Sequence, residues 1–260
     1  MNPPLIELYN PEQFTATGVT MRNNSFNSEE TQHKTLFWIS NIAVVEDTSR
    51  THSLTHAHIE SSVINLISFG GFSELAPIST PQIFAFVNIT FQDLQVEQEE
   101  NLVLFTEFTS LAHHVFTFSL LQFRNVDFKA GGNFVSFKNS ATVHNTITME
   151  HLAFQGNSRG IIELDNLDTD PEMLKRVKIL SSRWHQNLVE KSPLISVVGN
   201  AELQLHDCTF TENFSFSKGT AIVVKQSHSF AFNTVFEKNY ALSGGVLIVQ
   251  SNGKSDFNNL

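Results

Sequence analysis

The sequence predicts an all-β chain: a right-handed parallel β-helix solenoid of about eight coils. Three observations predict it. First, Leu203-x-Leu205-x-Asp207-x-x-Phe210-x-x-Asn213 is followed 26 residues later by Phe236-x-x-Asn239, and Gly245 stands 26 residues after Gly219. A fixed period in this range marks a stacked-repeat architecture. Second, each unit carries two short apolar segments bounded by Gly and Asn, which read as strands and leave no room for a long helix. Third, the chain has 24 Phe against 2 Tyr. A fully buried column of rings does better without a hydroxyl to satisfy.

Taken in order, the first copy of the unit is Val19-x-Met21-x-Asn23-x-x-Phe26, followed by the weaker Leu54-x-His56-x-x-Ile59. Then come Phe84-x-Phe86-x-Asn88-x-x-Phe91, Leu121-x-Phe123-x-Asn125-x-x-Phe128, Ile147-x-Met149-x-His151-x-x-Phe154 and Val177-x-Ile179-x-Ser181-x-x-Trp184. The residues that close each copy are the anchors: Phe26, Ile59, Phe91, Phe128, Phe154, Trp184, Phe210 and Phe236. Their steps are 33, 32, 37, 26, 30, 26 and 26. The pattern divides the chain into irregular coils over 1–128, with insertions on one side, and regular coils over 129–260. It runs nearly end to end, so 1–260 reads as a single β-helix domain.

After each anchor comes a second apolar run. These are Leu36 to Ile39, Val63 to Ile67, Leu102 to Phe105, Phe134 to Phe137, Ile161 to Leu164, Leu194 to Val198, Ile222 to Val224 and Val246 to Val249. A leucine-rich repeat would also suit the period, but it places its polar residue three after the last inward apolar position. Here the interval is two, Leu205 to Asp207, and the second strand has no place in that fold. A β-helix accommodates both strands.

Three residues before each anchor stands a polar column: Asn23, His56, Asn88, Asn125, His151, Ser181, Asp207 and Asn233. Small polar side chains there turn the corner between strands, and the four Asn suit a ladder of stacked amides. Gly131-Gly132 and Gly244-Gly245 are read as corners with positive φ. In Ser229-Phe230-Ala231-Phe232 the aromatics fall one residue out of step. Either the strand is bulged there or two rings face outward.

Composition narrows the functional classes. The net charge of −10 with scattered Lys and Arg opposes nucleic-acid binding, which needs a basic stripe. The single cysteine, Cys208, excludes an internal disulfide. No apolar run is long enough to span a bilayer, and Met1-Asn2-Pro3-Pro4 lacks the features of a signal peptide, so no membrane contact by this segment is expected. Residues 253–260 align with 228–235 and stop one residue short of the next anchor. The expectation is therefore a piece of a longer repeat array, with the rest of that chain as its first partner.

Insertions in solenoids often carry binding. Here they are Ala43 to Ser53, Phe69 to Gln82, Val96 to Asn101 and Asn166 to Arg176, the last with a helical turn after Asp170 and Pro171. Asp165, Asp168 and Asp170 loosely suggest a calcium loop but lack its central Gly and distal Glu. His56 and His58, and His113 and His114, have no third ligand nearby in sequence and read as turn or solvated histidines. No Ser or Cys sits in a nucleophile-elbow context. Asn23-x-Ser25, Asn88-x-Thr90 and Asn213-x-Ser215 match the N-glycosylation pattern. Two of them fall on the expected amide ladder, where a glycan does not fit, so the three read as chance matches in a chain rich in Asn and Ser. No catalytic, cofactor-binding or metal-binding residue is assigned.

Phe154-x-x-Asn157, Phe210-x-x-Asn213, Phe236-x-x-Asn239 and Gly244-Gly245-Val246-Leu247 resemble the F-x-x-N and G-G-A-[ILV] repeats of polymorphic outer-membrane proteins. Large repeat-built surface proteins of protists are similar. The resemblance covers about 154–249, with Val246 in place of the family's Ala. It implies a pectin-lyase-like right-handed β-helix and display at a cell surface, membrane-associated through parts outside this segment, with glycans or surface proteins as partners. The expected function is a non-catalytic structural and adhesive repeat region of a larger surface protein. The alternative is a lyase or hydrolase acting on polysaccharides, since many β-helices are such enzymes. The N-T-D, D-D and G-H-G motifs of polygalacturonase-like enzymes do not occur in the chain.

Overall fold

A computed structural model describes residues 6–9, 13–22, 37–40, 50–60, 82–96, 103–106, 115–128, 134–138, 146–158, 162–166, 175–189, 193–199, 201–218, 222–225, 228–243, 245, 247–250 and 255–258. Every regular element among them is a strand. The pairings between successive coils are parallel. The chain is a parallel β-helix.

One coil shows how the sequence makes it. Strand Ala201–His206 alternates buried and half-buried residues, with Leu203 and Leu205 inward. A corner at Asp207 leads to the short strand Thr209–Thr211, which buries Phe210. A second corner at Glu212 leads to Phe214–Lys218, and Ile222–Lys225 closes the coil. The next coil begins at His228–Phe232, directly in register with Ala201–His206. Parallel strands need such a crossover between them, and here the remainder of the coil supplies it.

Both corners use the left-handed backbone region. The first is occupied by His56, Asn88, Leu120, His151, Ser181, Asp207 and Asn233, with φ between 47° and 56°. The second is occupied by Asp93, Asn125, Gln186, Glu212 and Lys238 at 51–55°, and by Gly156 at 65°. An L-residue pays about 1–2 kcal/mol for this conformation. Hydrogen bonds between coils offset it. Ser181 N donates to His206 O at 2.9 Å and Gln186 N donates to Thr211 O at 3.1 Å.

The two corners explain a register correction. In the coil from Val115 the corner at Leu120 lies between buried Phe118 and Phe123, and the corner at Asn125 between buried Phe123 and Phe128, so the motif can be read there in two frames five residues apart. Strand pairing selects one frame: Phe91, Phe123 and Phe154 are neighbours, as are Met21 and Ile59. The anchors of those coils are therefore Phe123 and Met21, not Phe128 and Phe26. Phe128 pairs with Val96 on the next face, and Phe26 lies outside the described residues. Asn125 accordingly belongs to the second corner, and Leu120 takes the first. The spacing between stacked equivalents falls along the chain through 32, 31 and 30 to 26 residues.

The core is a set of stacked columns. Ring centroids along the anchors lie 4.8 Å apart for Phe91 and Phe123, 4.5 Å for Phe123 and Phe154, and 5.5 Å for Phe154 and Trp184. The column continues at 4.3 Å to Phe210 and 4.9 Å to Phe236. Parallel stacks join Phe84 to Phe116 and Phe86 to Phe118, each at 4.9 Å. Each such pair adds roughly 0.5–1.5 kcal/mol beyond area burial.

The amide ladder exists, but on a different column from the one expected. It is built from Asn157, Asn187, Asn213 and Asn239, three residues after each anchor. Nδ2 of one donates to Oδ1 of the next at 2.9, 2.9 and 2.8 Å. Leu94 and Val126 fill earlier positions of the column as buried apolar residues. Apart from Asn125, and from Asn23, which lies outside the described residues, the expected column lines the exposed first corner, where Asn233 Nδ2 donates to Asp207 Oδ1 of the preceding coil at 2.6 Å.

Of the two readings for Phe230 and Phe232, the outward one is correct. Ser229 and Ala231 are buried in their stead, Phe232 is exposed, and the register with Ala201–His206 is unbroken. Positive-φ glycines among the described residues are Gly18, Gly156 and Gly199; Gly245 is not one of them. Gly131, Gly132 and Gly244 lie outside the described residues, as does the turn after Asp170. The predicted loops give up their ends to strands: Arg50–Glu60 takes the end of the first, and Gln82, Val96 and Lys175-Arg176 are also in strands.

The coil count is smaller than expected when a complete coil is one paired on both sides across every face. Among the described residues four coils meet that condition, not eight. They begin at Val115, Thr146, Lys175 and Ala201. The coils before and after them are paired on some faces only.

Candidate functional site

The residue before and the residue after each anchor point outward, because a strand alternates its faces. These two rows read Gln122, Ala153, Arg183, Thr209 and Arg124, Gln155, His185, Thr211. Ala153 is short, and it lies between Gln122 and Arg183. The surface dips there. Two adjoining shallow hollows of about 300 and 310 Å³ result, and both include Ala153 and Arg183.

Their polar groups are held to different degrees. Arg124 Nη2 donates to Gln122 Oε1 at 3.0 Å. His185 Nδ1 lies 3.1 Å from Thr211 Oγ1. The Arg183 guanidinium has no hydrogen bond or ion pair among the described residues. Among the described residues no carboxylate lines either hollow. The face therefore offers two cations, Arg124 and Arg183, with several neutral donors and acceptors, a set suited to hydroxyl-rich or anionic ligands. Sequence reading missed it. The signal was available in the residues flanking each anchor.

Among the described residues the histidines do not assemble into a metal centre. His56 is an exposed corner residue, whereas the His58 ring lies 3.2 Å from Glu60 Oε2, which also meets Arg22 Nε at 3.2 Å. His113, His114, Asp168 and Asp170 lie outside the described residues. Among those described, no three His, Cys, Asp or Glu side chains converge.

Cys208 is buried, and its Sγ faces His206 O at 3.3 Å and Ile179 O at 3.4 Å. Burial raises its pKa to about 11, so the thiol is unreactive while the coil is closed. Asp93, at an exposed second corner, is lowered from the usual carboxylate value by hydrogen bonds from Asn125 and Gln92.

A second outward feature is apolar. Leu188, Phe214 and Tyr240 are neighbours on successive strands, flanked by the exposed Phe216 and Leu242. Phe214 and Tyr240 stack at 5.1 Å, so each covers a ring face of the other. Among the described residues no helix is long and apolar enough to cross a membrane.

No family model, curated protein or solved structure matches this chain.

Proposed function

We propose that the chain is a structural and adhesive repeat region of a cell-surface protein, built on a β-helix of the kind found in polymorphic outer-membrane proteins. One observation carries this reading. The residues that define the repeat are spent on joining one coil to the next. The ring of each F-x-x-N segment stacks on its neighbour, and the Asn extends a buried ladder through four coils. Such a repeat transmits length and stiffness along one axis. Its outward rows are free to vary, and the Gln122–Arg183 face is where a glycan or a surface protein would bind. The test is display of the chain on otherwise non-adherent cells, followed by adhesion to host cells and a glycan array. Loss of all binding by a folded, extended chain would remove the adhesive half of the proposal.

A second reading has one observation in its favour. Arg183 and His185 lie in the same hollow, a cation and a proton-transfer group side by side. On this reading the face acts on polysaccharides as a lyase or hydrolase. Appearance of reducing or unsaturated ends from a polysaccharide panel, and their loss in Arg183→Ala, would establish it in place of the first.

A further inference from the structure

Of the three N-x-[ST] patterns, Asn23-x-Ser25 lies outside the described residues, and the structure separates the other two. Asn213 is 1% exposed. Its Nδ2 donates to Asn239 Oδ1 at 2.8 Å and to Trp184 O at 3.1 Å. A sugar on that nitrogen would break the ladder and has no space to occupy. Asn88 is the opposite case. It sits at an exposed corner with φ 55°, a conformation Asn tolerates. Its side chain is in no hydrogen bond among the described residues.

We infer that Asn88 is a site for attachment of an N-linked sugar, with Asn213 excluded by its place in the ladder. Ile89 is buried between the two polar residues of the pattern, and Thr90 returns to the outer surface two residues on. Asn88 and Thr90 are therefore presented together on the solvent side of the bend. Asn88 also lines the 310 Å³ hollow with Leu120 and His151. Leu120 occupies the adjacent corner of the next coil and is 49% exposed. A sugar on Asn88 lies over this leucine and covers apolar surface that the fold leaves in water.

The chemistry is a group transfer from a phosphate-activated sugar. Asn88 Nδ2 forms a bond to the sugar C1 as the bond from C1 to the phosphate oxygen breaks. The phosphate leaves with the electron pair, and the transferring enzyme's base takes the amide proton.

The test uses the purified folded chain, a soluble N-glycosyltransferase and a nucleotide hexose. Peptides covering 82–96 and 206–220 serve as unfolded references, and attachment is located by mass spectrometry. The expected result is hexose on Asn88 in both the folded chain and its peptide. Asn213 should be modified in its peptide and suppressed at least about a hundredfold in the folded chain, because the buried coil must open first. Asn88→Gln should remove the first modification only. The inference is overturned if the folded chain refuses sugar at Asn88 while its peptide accepts it, or if the peptide itself is refused. Modification of Asn213 in the folded chain at the rate of Asn88 would overturn it equally. None of these outcomes depends on whether the protein is adhesive.

Discussion

Asn187 Nδ2 lies 2.9 Å from Asn213 Oδ1 in the next coil, and the Asn187 backbone N–H donates to that same oxygen at 3.0 Å. The second amide hydrogen of Asn187 goes to Phe154 O in the coil before, at 3.2 Å. One buried side chain thus ties three coils together.

Substitution of Asn187 should therefore cost more than an average core polar residue. Asn187→Ala takes the acceptor from the buried donors of Asn157 and a donor from Phe154 O, and leaves Asn213 Oδ1 with only the Asn187 backbone N–H, at roughly 1–3 kcal/mol for each group that finds no water. Asn187→Asp should be worse, because an anionic oxygen replaces the amide that faces Asn213 Oδ1 and Phe154 O. Urea titration followed by circular dichroism should rank stability as wild type, then Ala, then Asp. Equal midpoints would show that the ladder adds nothing.

Trp184 provides a contrasting case. It packs between Phe154 and Phe210 at 5.5 and 4.3 Å, but its buried Nε1 donates to no acceptor among the described residues. Trp184→Phe keeps the stack and removes an unsatisfied donor, which offsets the volume lost, so a net change within about 1.5 kcal/mol is expected. Trp184→Ala should cost about 3–5 kcal/mol. Melting curves of the two variants side by side test this; a Phe variant as unstable as the Ala variant would contradict it.

Gly156 is the one glycine among the second-corner residues. A Cβ there would meet Asn125 Oδ1 at 2.7 Å, at a backbone φ of 65°. Its neighbours show that the conformation alone is tolerable to other residues, so the close approach adds to the strain. Gly156→Ala should destabilise by about 1–2 kcal/mol, and the double variant with Asn125→Gly should recover part of that. Thermal shifts of wild type, both single variants and the double variant isolate the coupling, because Asn125→Gly also relieves the strain of its own φ of 52°; no recovery beyond the effect of Asn125→Gly alone would assign the whole cost to φ.

Cys208 predicts a pH dependence. Its thiol pKa is raised from 9.0 to about 11 by burial. Between those values the unfolded chain loses the proton and the folded chain keeps it. Stability is therefore full below pH 9 and falls as pH rises toward 11, by about 2–3 kcal/mol at 1.36 kcal/mol per unit. Cys208→Ala should flatten that part of the curve. Thiol labelling at pH 8 should proceed only at the rate of opening; instantaneous labelling of native protein would refute the burial of this side chain.

The sequence by itself determined the class of fold. A 26-residue period, two short apolar runs per unit and an excess of Phe over Tyr are local facts, and together they require stacked strands with rings inward. It did not determine which frame of the motif faces inward in each coil. Asn125 and Leu120 both stand at left-handed corners, five residues apart, each between inward apolar positions. The local pattern is nearly unchanged by that five-residue shift, so Phe128 reads as well as Phe123. Only pairing with the coils on either side distinguishes them, by placing Phe123 between Phe91 and Phe154. The same holds for the asparagines. Asn88 and Asn213 are alike in sequence, each followed two residues later by a hydroxyl. One stands at an exposed corner and the other is sealed in a ladder, because the neighbouring coil supplies the Asn239 amide to Asn213, whereas beside Asn88 it places Leu120. The outward face at Ala153 and Arg183 was likewise decided in three dimensions, since it joins residues of separate coils that are 30 apart in the chain.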